Sequence, residues 1–287
     1  MEIATGYKHD DKLREGLVSL AQRTFGIDLG SWYANGFWQD DYIPYSVVED
    51  GRVVSNISVN VCNIRRRLRV HHLAQIGTVM TDEAYRGRGY ARLLFEKAIA
   101  DCTRSYEGIY LFAQDDMSSF YEQYGFVRKP EYRCRKKVNI TNTRTAENIP
   151  MDSREEWNRM VDIIQRRGQY GEYVMVNNPG LFMFYLAGPM SEYVYYIPSA
   201  EAYVIASAEG EKLTVYAVFS GEKVSLGEVI SSFGSDIKLV ELAFTPENKT
   251  GFELKKIESD DTVLFTMGEF FQTTGNDRFM FPLIAQA

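Results

Sequence analysis

In TDEAYRGRGYARLLFEKAI, residues 81–99, a glycine-rich turn runs directly into a predicted amphipathic helix. Leu94, Ala98 and Ile99 fall on one side of that predicted helix. The preceding segment LAQIGTVMT, residues 73–81, has the continuous apolar character of a buried strand. A strand that enters a helix through glycines leaves several backbone N–H groups unpaired and open to a ligand.

The charges around this turn predict an anion site. Arg86 and Arg88 add full positive charges to the partial positive charge of a helix N-terminus, an arrangement that suits a pyrophosphate. The P-loop pattern GxxxxGK[ST] is absent, and Arg92 stands where the Rossmann pattern GxGxxG requires its third glycine. The pattern present is Arg-x-x-Gly-x-Ala, at residues 86–91. Solvated turns use the same residues, so the surrounding sequence must decide.

A second motif follows in FAQDDMSSFYEQYGF, residues 112–126. Together the two motifs resemble the GNAT superfamily, the acyl-CoA N-acyltransferases. The family has [Gln/Arg]-x-x-Gly-x-[Gly/Ala] at the first position, and Asn-x-x-Ala-x-x-[apolar]-Tyr followed by Gly-Phe at the second. Tyr121 matches the tyrosine of the second signature, as do Gly125 and Phe126, whereas Gln114 and Met117 replace the usual Asn and Ala.

The resemblance implies an α/β (α+β) fold with a mixed central sheet flanked by helices, and acetyl-CoA as cosubstrate. In the family, backbone N–H groups of the turn hold the pyrophosphate of coenzyme A. The pantetheine arm pairs with the central strand, which splays from its neighbour. The implied acetyl-CoA contacts are Val79, Met80, Thr81, Arg86, Gly87, Arg88, Gly89, Tyr90, Ala91 and Gln114.

By the same resemblance Tyr121 is the catalytic general acid, although an aromatic ring that only packs on its helix is the alternative. The resemblance assigns no single residue as the general base. Gln75 stands where histone-type relatives carry Glu, and a neutral amide cannot take a proton. Histidine is the side chain best suited to proton transfer near neutral pH, so His71 or His72 could act through water, but strand histidines are more often structural. In aminoglycoside-acetylating relatives the terminal carboxylate reaches the active site, which makes Ala287 a further candidate.

The acceptor pocket of the family is lined by its first helices. The matching residues here are aromatic, and Asp40 and Asp41 follow them, a combination that suits an amine. The predicted substrate-binding residues are Trp32, Tyr33, Phe37, Trp38 and Gln75. Packing of the same rings in the core is an equally good interpretation.

A chain of 287 residues is typical of about two domains. A polar linker predicts a boundary at 140, with a GNAT domain at 1–140 and a second domain at 141–287. The second half lacks the glycine-arginine turn but repeats the element order, so it resembles a degenerate GNAT unit. A sterol-carrier-like domain is the alternative. Four details are expected: strands in LFMFYLA, in FMFPLIA and at 133–138 closing the first unit, and a helix in TGFELKKIE.

The formal net charge of −7 is unevenly distributed. Residues 1–140 carry 20 basic and 18 acidic side chains, whereas residues 141–287 carry 12 and 21. A nucleic-acid-binding protein would be more basic. We expect no membrane partner, no metal and no disulfide framework, because apolar runs are short and only three cysteines are present. A polar N-terminus favours the cytoplasm.

Together these features predict an N-acetyltransferase (EC 2.3.1) acting on a small-molecule or side-chain amine. A catalytically weak acetyl-CoA sensor or interaction protein is the alternative. The sequence does not indicate an oligomeric state.

Overall fold

The computed structural model describes residues 1–221, 224–258 and 262–286. Its helices are α1 (Asp11–Phe25), α2 (Leu29–Ala34), α3 (Tyr90–Ser105), α4 (Ser118–Glu122), α5 (Arg154–Arg166), α6 (Pro179–Leu186), α7 (Leu226–Ser231) and α8 (Glu269–Thr273). Its strands are β1 (Glu2–Thr5), β2 (Tyr42–Glu49), β3 (Arg52–Arg66), β4 (Arg69–Thr81), β5 (Gly108–Ala113), β6 (Val127–Lys129), β7 (Tyr132–Lys137), β8 (Glu147–Asn148), β9 (Gly168–Gln169), β10 (Tyr173–Val176), β11 (Val194–Ile197), β12 (Ala202–Glu209), β13 (Lys212–Ser220), β14 (Leu239–Leu242), β15 (Glu253–Lys256) and β16 (Val263–Met267).

The first sheet has the strand order β1-β2-β3-β4-β5-β16-β6, with β10 paired to the far end of β3. Strands β3 and β4 form a long antiparallel hairpin, and α3 then crosses over to β5, which runs parallel to β4. One face of this sheet packs against α1, α2, α6 and the C-terminal segment. The other face packs against the apolar side of α3 and against α4.

The second sheet repeats this path. Its order is β15-β7-β14-β13-β12-β11-β8, with β9 paired to β13. The hairpin β12–β13 leads through α7 to β14, which is parallel to β13. The predicted mixed α/β architecture with a second GNAT-like unit is therefore confirmed.

Strands cross between the two halves in both directions, because β7 joins the second sheet whereas β10 and β16 join the first. Strand β7 lies between β14 and β15 of the second sheet, and β16 lies between β5 and β6 of the first. The prediction that residues 133–138 close the first unit is therefore wrong, because both edges of β7 pair with strands of the second half. The domain boundary at 140 stays a prediction, and each sheet contains a strand from the opposite side of it.

Three further expectations are wrong. LFMFYLA forms helix α6, whose N-terminus is capped by Asn178 and begins at Pro179. Because α6 is buried on nearly all sides, its sequence lacks the polar face of an amphipathic helix. TGFELKKIE contains strand β15 rather than a helix, because β7 offers it an open edge. FMFPLIA forms a buried irregular segment that ends in a 3₁₀ turn at Leu283–Ala285.

No helix in the described part of the chain is long and apolar enough to cross a membrane.

Candidate acetyl-CoA site

The first sheet has an opening between its two parallel strands. Strands β4 and β5 pair only as far as Ile76 and Leu111, although β4 continues to Thr81. Val79, in the part of β4 that no longer pairs with β5, is 36% exposed. An extended ligand can add to such a free edge as a strand does. The predicted contacts Val79 and Thr81 lie on it, whereas the Met80 side chain is buried, so Met80 can contribute only its backbone.

The turn at residues 86–91 follows this free edge. Gly87 and Gly89 have φ values of 76° and 79°, which glycine adopts without strain. A Cβ added to either would meet nothing within 4 Å, so both glycines face open space. Gly89 is the N-cap of α3 and offers no side chain to cap it. The first N–H groups of α3 are therefore available for an anion, as the sequence predicts.

Both arginines of the turn are more than half exposed and already have acidic neighbours. Arg86 lies 3.6 Å from Glu83, and Arg88 lies 3.5 Å from Glu49. The Tyr90 hydroxyl also donates to Glu49, and this bond is the main cause of a raised Tyr90 pKa. Sequence reasoning missed Glu49, because it precedes Arg88 by 39 residues and no motif connects them. A bound phosphate must compete with this carboxylate for Arg88.

Tyr121 lies on α4, just after the end of β5. Its ring is buried, with centroids 5.4 Å from Phe95 and 5.3 Å from Phe265. Its hydroxyl makes no hydrogen bond within the described residues, and burial raises its pKa above the usual 10.0. Gln114 follows β5 directly and is exposed. The structure thus places Gln114 and the α4 turn at the end of β5 that diverges from β4.

The histidines proposed as bases are engaged elsewhere. His71 contacts Glu107 at 2.9 Å, and His72 contacts Asn63 at 2.6 Å. Both lie on β4 before the opening. At about 3.3 Å per residue, His72 is about 16 Å along the strand from the point where the opening begins. Gln75 is buried, with Asn60 opposite it on β3. Ala287 lies outside the described residues.

The predicted acceptor aromatics form one cluster at the junction of the two halves. Trp32 donates its indole N–H to the Gly180 carbonyl at 2.8 Å and stacks on Trp38 at 5.8 Å. Tyr33 packs edge-on against Trp38 and carries the Arg14 guanidinium over its ring.

Trp32 and Phe37 line a cleft of about 420 Å³ together with Met183 and Phe184 of α6. Sequence reasoning missed α6 here because it was expected to be a strand. Gln75 is not among the described residues lining this cleft.

The comparisons with known proteins concern the family and the fold. Residues 40–128 match the family model of the acetyltransferase (GNAT) domain. No curated protein sequence matches the chain.

Solved structures share the two-sheet fold at low identity. A protein of Enterococcus faecalis V583 described as a probable N-acyltransferase is 13% identical, with a TM-score of 0.61 over 93% of this chain and 72% of that one. Eis1 of Mycobacterium abscessus is 12% identical, with a TM-score of 0.56 over 92% and 73%. A GCN5-related N-acetyltransferase of Anabaena variabilis ATCC 29413 is 13% identical, with a TM-score of 0.54 over 92% and 72%.

Proposed function

Because residues 40–128 carry a GNAT acetyltransferase domain, we propose that the protein is an N-acetyltransferase that transfers the acetyl group of acetyl-CoA to an amine. One observation carries this proposal. The unpaired edge of β4 and the uncapped N-terminus of α3 follow each other directly in the first sheet. A ligand with an extended arm and a pyrophosphate at its end fits this arrangement, the arm along the edge of β4 and the pyrophosphate at the N-terminus of α3.

The proposed reaction is a direct attack. The neutral amine attacks the thioester carbonyl carbon, the C–N bond forms, and the C–S bond breaks. The amine loses one proton to solvent water, the departing thiolate gains one from the Tyr121 hydroxyl, and solvent returns a proton to Tyr121. A phenol whose pKa is raised by burial is fully protonated at neutral pH, which is the state that a general acid requires. Holding both reactants in line supplies much of the rate increase.

The acceptor is proposed to enter from the cleft between α2 and α6. Its walls are mainly apolar, from Trp32, Phe37, Met183 and Phe184, and Asp28 lies at its edge. Such a surface suits a small-molecule or side-chain amine whose body contacts aromatic rings.

The second candidate is a coenzyme A-binding protein with weak turnover. The observation that favours it is the position of Gln75, where an ionisable base would be expected and only an amide is present. This candidate shares the cofactor site and differs in the rate of the chemical step.

An amine panel separates the two candidates. Acetyl-CoA would be incubated with polyamines, aminoglycosides, aromatic amines and lysine peptides, and free thiol would be measured. We expect acceptor-dependent thiol release for one class of amine. Binding of acetyl-CoA without release above the buffer rate, across the whole panel, would favour the binding protein. A failure to bind acetyl-CoA would contradict both.

A further inference from the structure

A continuous chain of hydrogen bonds crosses β2, β3 and β4 and ends at the opening of the first sheet. Its links are Tyr7–Ser46 (2.5 Å), Ser46–Asn56 (2.9 Å), Asn56–Ser58 (2.9 Å), Ser58–Tyr42 (2.7 Å) and Tyr42–Thr78 (3.2 Å). Every member except Thr78 is buried. Buried polar groups bonded in series polarise one another, so such a chain fixes hydroxyl orientations more firmly than single bonds do.

The direction of this chain follows from Asn56. Its Nδ2 lies 3.1 Å from the carbonyl oxygen of Thr78, a group that can only accept, and this contact fixes which end of the amide is the nitrogen. Nδ2 therefore also donates to Ser58, which donates to Tyr42. On the other side Ser46 donates its hydroxyl proton to Oδ1 of Asn56. The Ser46 oxygen must therefore accept the hydrogen bond from the Tyr7 hydroxyl.

All these protons point toward Thr78, whose Oγ1 accepts from Tyr42. Burial raises the pKa of Tyr42, so this phenol stays protonated and keeps its role as donor at neutral pH. The proton of the Thr78 hydroxyl has no acceptor in the described part of the chain. Thr78 is also only partly buried. It therefore presents a free donor whose oxygen is held in place.

The backbone of Thr78 is unusual as well. Its φ is 48°, a conformation that β-branched residues rarely adopt. It lies at the irregularity where the β3–β4 register shifts, just past the last pair between β4 and β5. Asn56 holds its carbonyl and Tyr42 holds its hydroxyl. Backbone outliers that the surroundings fix in this way cluster at functional sites.

We propose that the Thr78 hydroxyl donates a hydrogen bond to the carbonyl oxygen of the acyl-CoA thioester, and that Tyr42 is its positioning residue. This inference rests on the proposed function, since that oxygen becomes negative when an amine attacks the thioester. A donor that is already oriented stabilises such charge without reorganisation. The proton remains on Thr78 throughout, so the hydroxyl forms no covalent bond and transfers no proton.

Infrared difference spectroscopy with acetyl-CoA labelled by ¹³C at the carbonyl tests this directly, and no acceptor is needed. A hydrogen bond lowers the carbonyl stretching frequency. We expect the lowered band in the wild type and in Thr78→Ser, and its return toward the frequency in solution in Thr78→Val. Tyr42→Phe keeps the Thr78 hydroxyl but releases its orientation, so its band should broaden and lie between the two.

Kinetics and binding complete the test. With a confirmed acceptor, kcat of Thr78→Val should fall about 10- to 100-fold, while its affinity for free CoA stays at the wild-type value. The double variant Tyr42→Phe/Thr78→Val should be no slower than Thr78→Val alone.

An unchanged carbonyl band in Thr78→Val would overturn the inference. So would an equal loss of affinity for CoA and acetyl-CoA, because the hydroxyl would then contact the pantetheine arm. A wild type that does not bind acetyl-CoA would overturn the proposed function itself, before any variant is compared.

Discussion

The parallel strand pairs β4/β5 and β13/β14 occupy equivalent places in the two sheets, yet only the first is open. In the second, β13 pairs with β14 from Lys212 to Val215. Farther along, β9 takes the free edge, with Gln169 opposite Phe219, and the Tyr170 N–H donates to the Val218 carbonyl. A segment of the protein itself therefore fills the place that corresponds to the proposed ligand site of the first sheet.

The helices after these strands differ in the same sense. The N-cap of helix α3 is Gly89, which has no side chain to cap it. The N-cap of helix α7 is Ser225, whose hydroxyl accepts from the Glu228 N–H, and Glu228 adds a negative charge to the first turn. A filled cap and a carboxylate both oppose anion binding. The repeated fold thus provides the same framework in both halves, while the features of the proposed ligand site depend on a few local residues.

The largest predicted effect concerns Tyr121. The segment between β14 and β15 forms no helix, so at this place the second half has no counterpart to α4. Tyr121→Phe keeps the ring and removes the proton, so kcat should fall about 10²-fold or more with little change in acetyl-CoA affinity. Tyr124→Phe is the matched control, because its hydroxyl contacts Glu96. Wild-type kcat in Tyr121→Phe would exclude Tyr121 as general acid.

The next effect concerns cofactor affinity. Arg86→Ala/Arg88→Ala removes two charge-assisted contacts, and calorimetry should show CoA binding weakened by about 2 kcal/mol, or roughly 30-fold. Arg159→Ala/Arg166→Ala makes the same change in net charge on α5, where both arginines form exposed ion pairs. If the two double variants lose equal affinity, the effect is one of overall charge and the pyrophosphate lies elsewhere.

A pair of glycine substitutions sharpens the comparison between the halves. Gly89 and Gly210 both have positive φ, and a Cβ added at either position would meet nothing within 4 Å. Alanine at either should lower the free energy of unfolding by about 1–2 kcal/mol, measured by chemical denaturation. Only Gly89→Ala should also weaken CoA binding, about tenfold, because its methyl group projects into the anion site. Equal affinities in the two variants would argue against a ligand at this turn.

The smallest effect is expected in the second half. Ser225→Ala removes the N-cap of α7 and should cost about 1 kcal/mol of stability. CoA affinity and binding stoichiometry should not change. Weaker CoA binding in this variant would indicate a cofactor site in the second half.

Local sequence was sufficient to predict the glycine-arginine turn, the preceding strand and α3, because each depends on neighbouring residues. The Tyr121 motif was found in the same way. The strand exchange could not be predicted, since β7 and β16 gain their partners from distant segments. The same holds for β9 beside β13, and for the hydrogen-bond chain that ends at Thr78. These features depend on register across a sheet, which no short motif encodes.

Hydrogen–deuterium exchange with and without acetyl-CoA compares both halves in one experiment and so tests whether the first sheet alone binds the cofactor. Acetyl-CoA should slow exchange at residues 77–92, which cover the free edge of β4 and the start of α3. Exchange at residues 216–221 and 224–229, in the equivalent part of the second half, should not change. Protection of the stretch in the second half, or protection of neither stretch at saturating acetyl-CoA, would contradict the proposed difference between the halves.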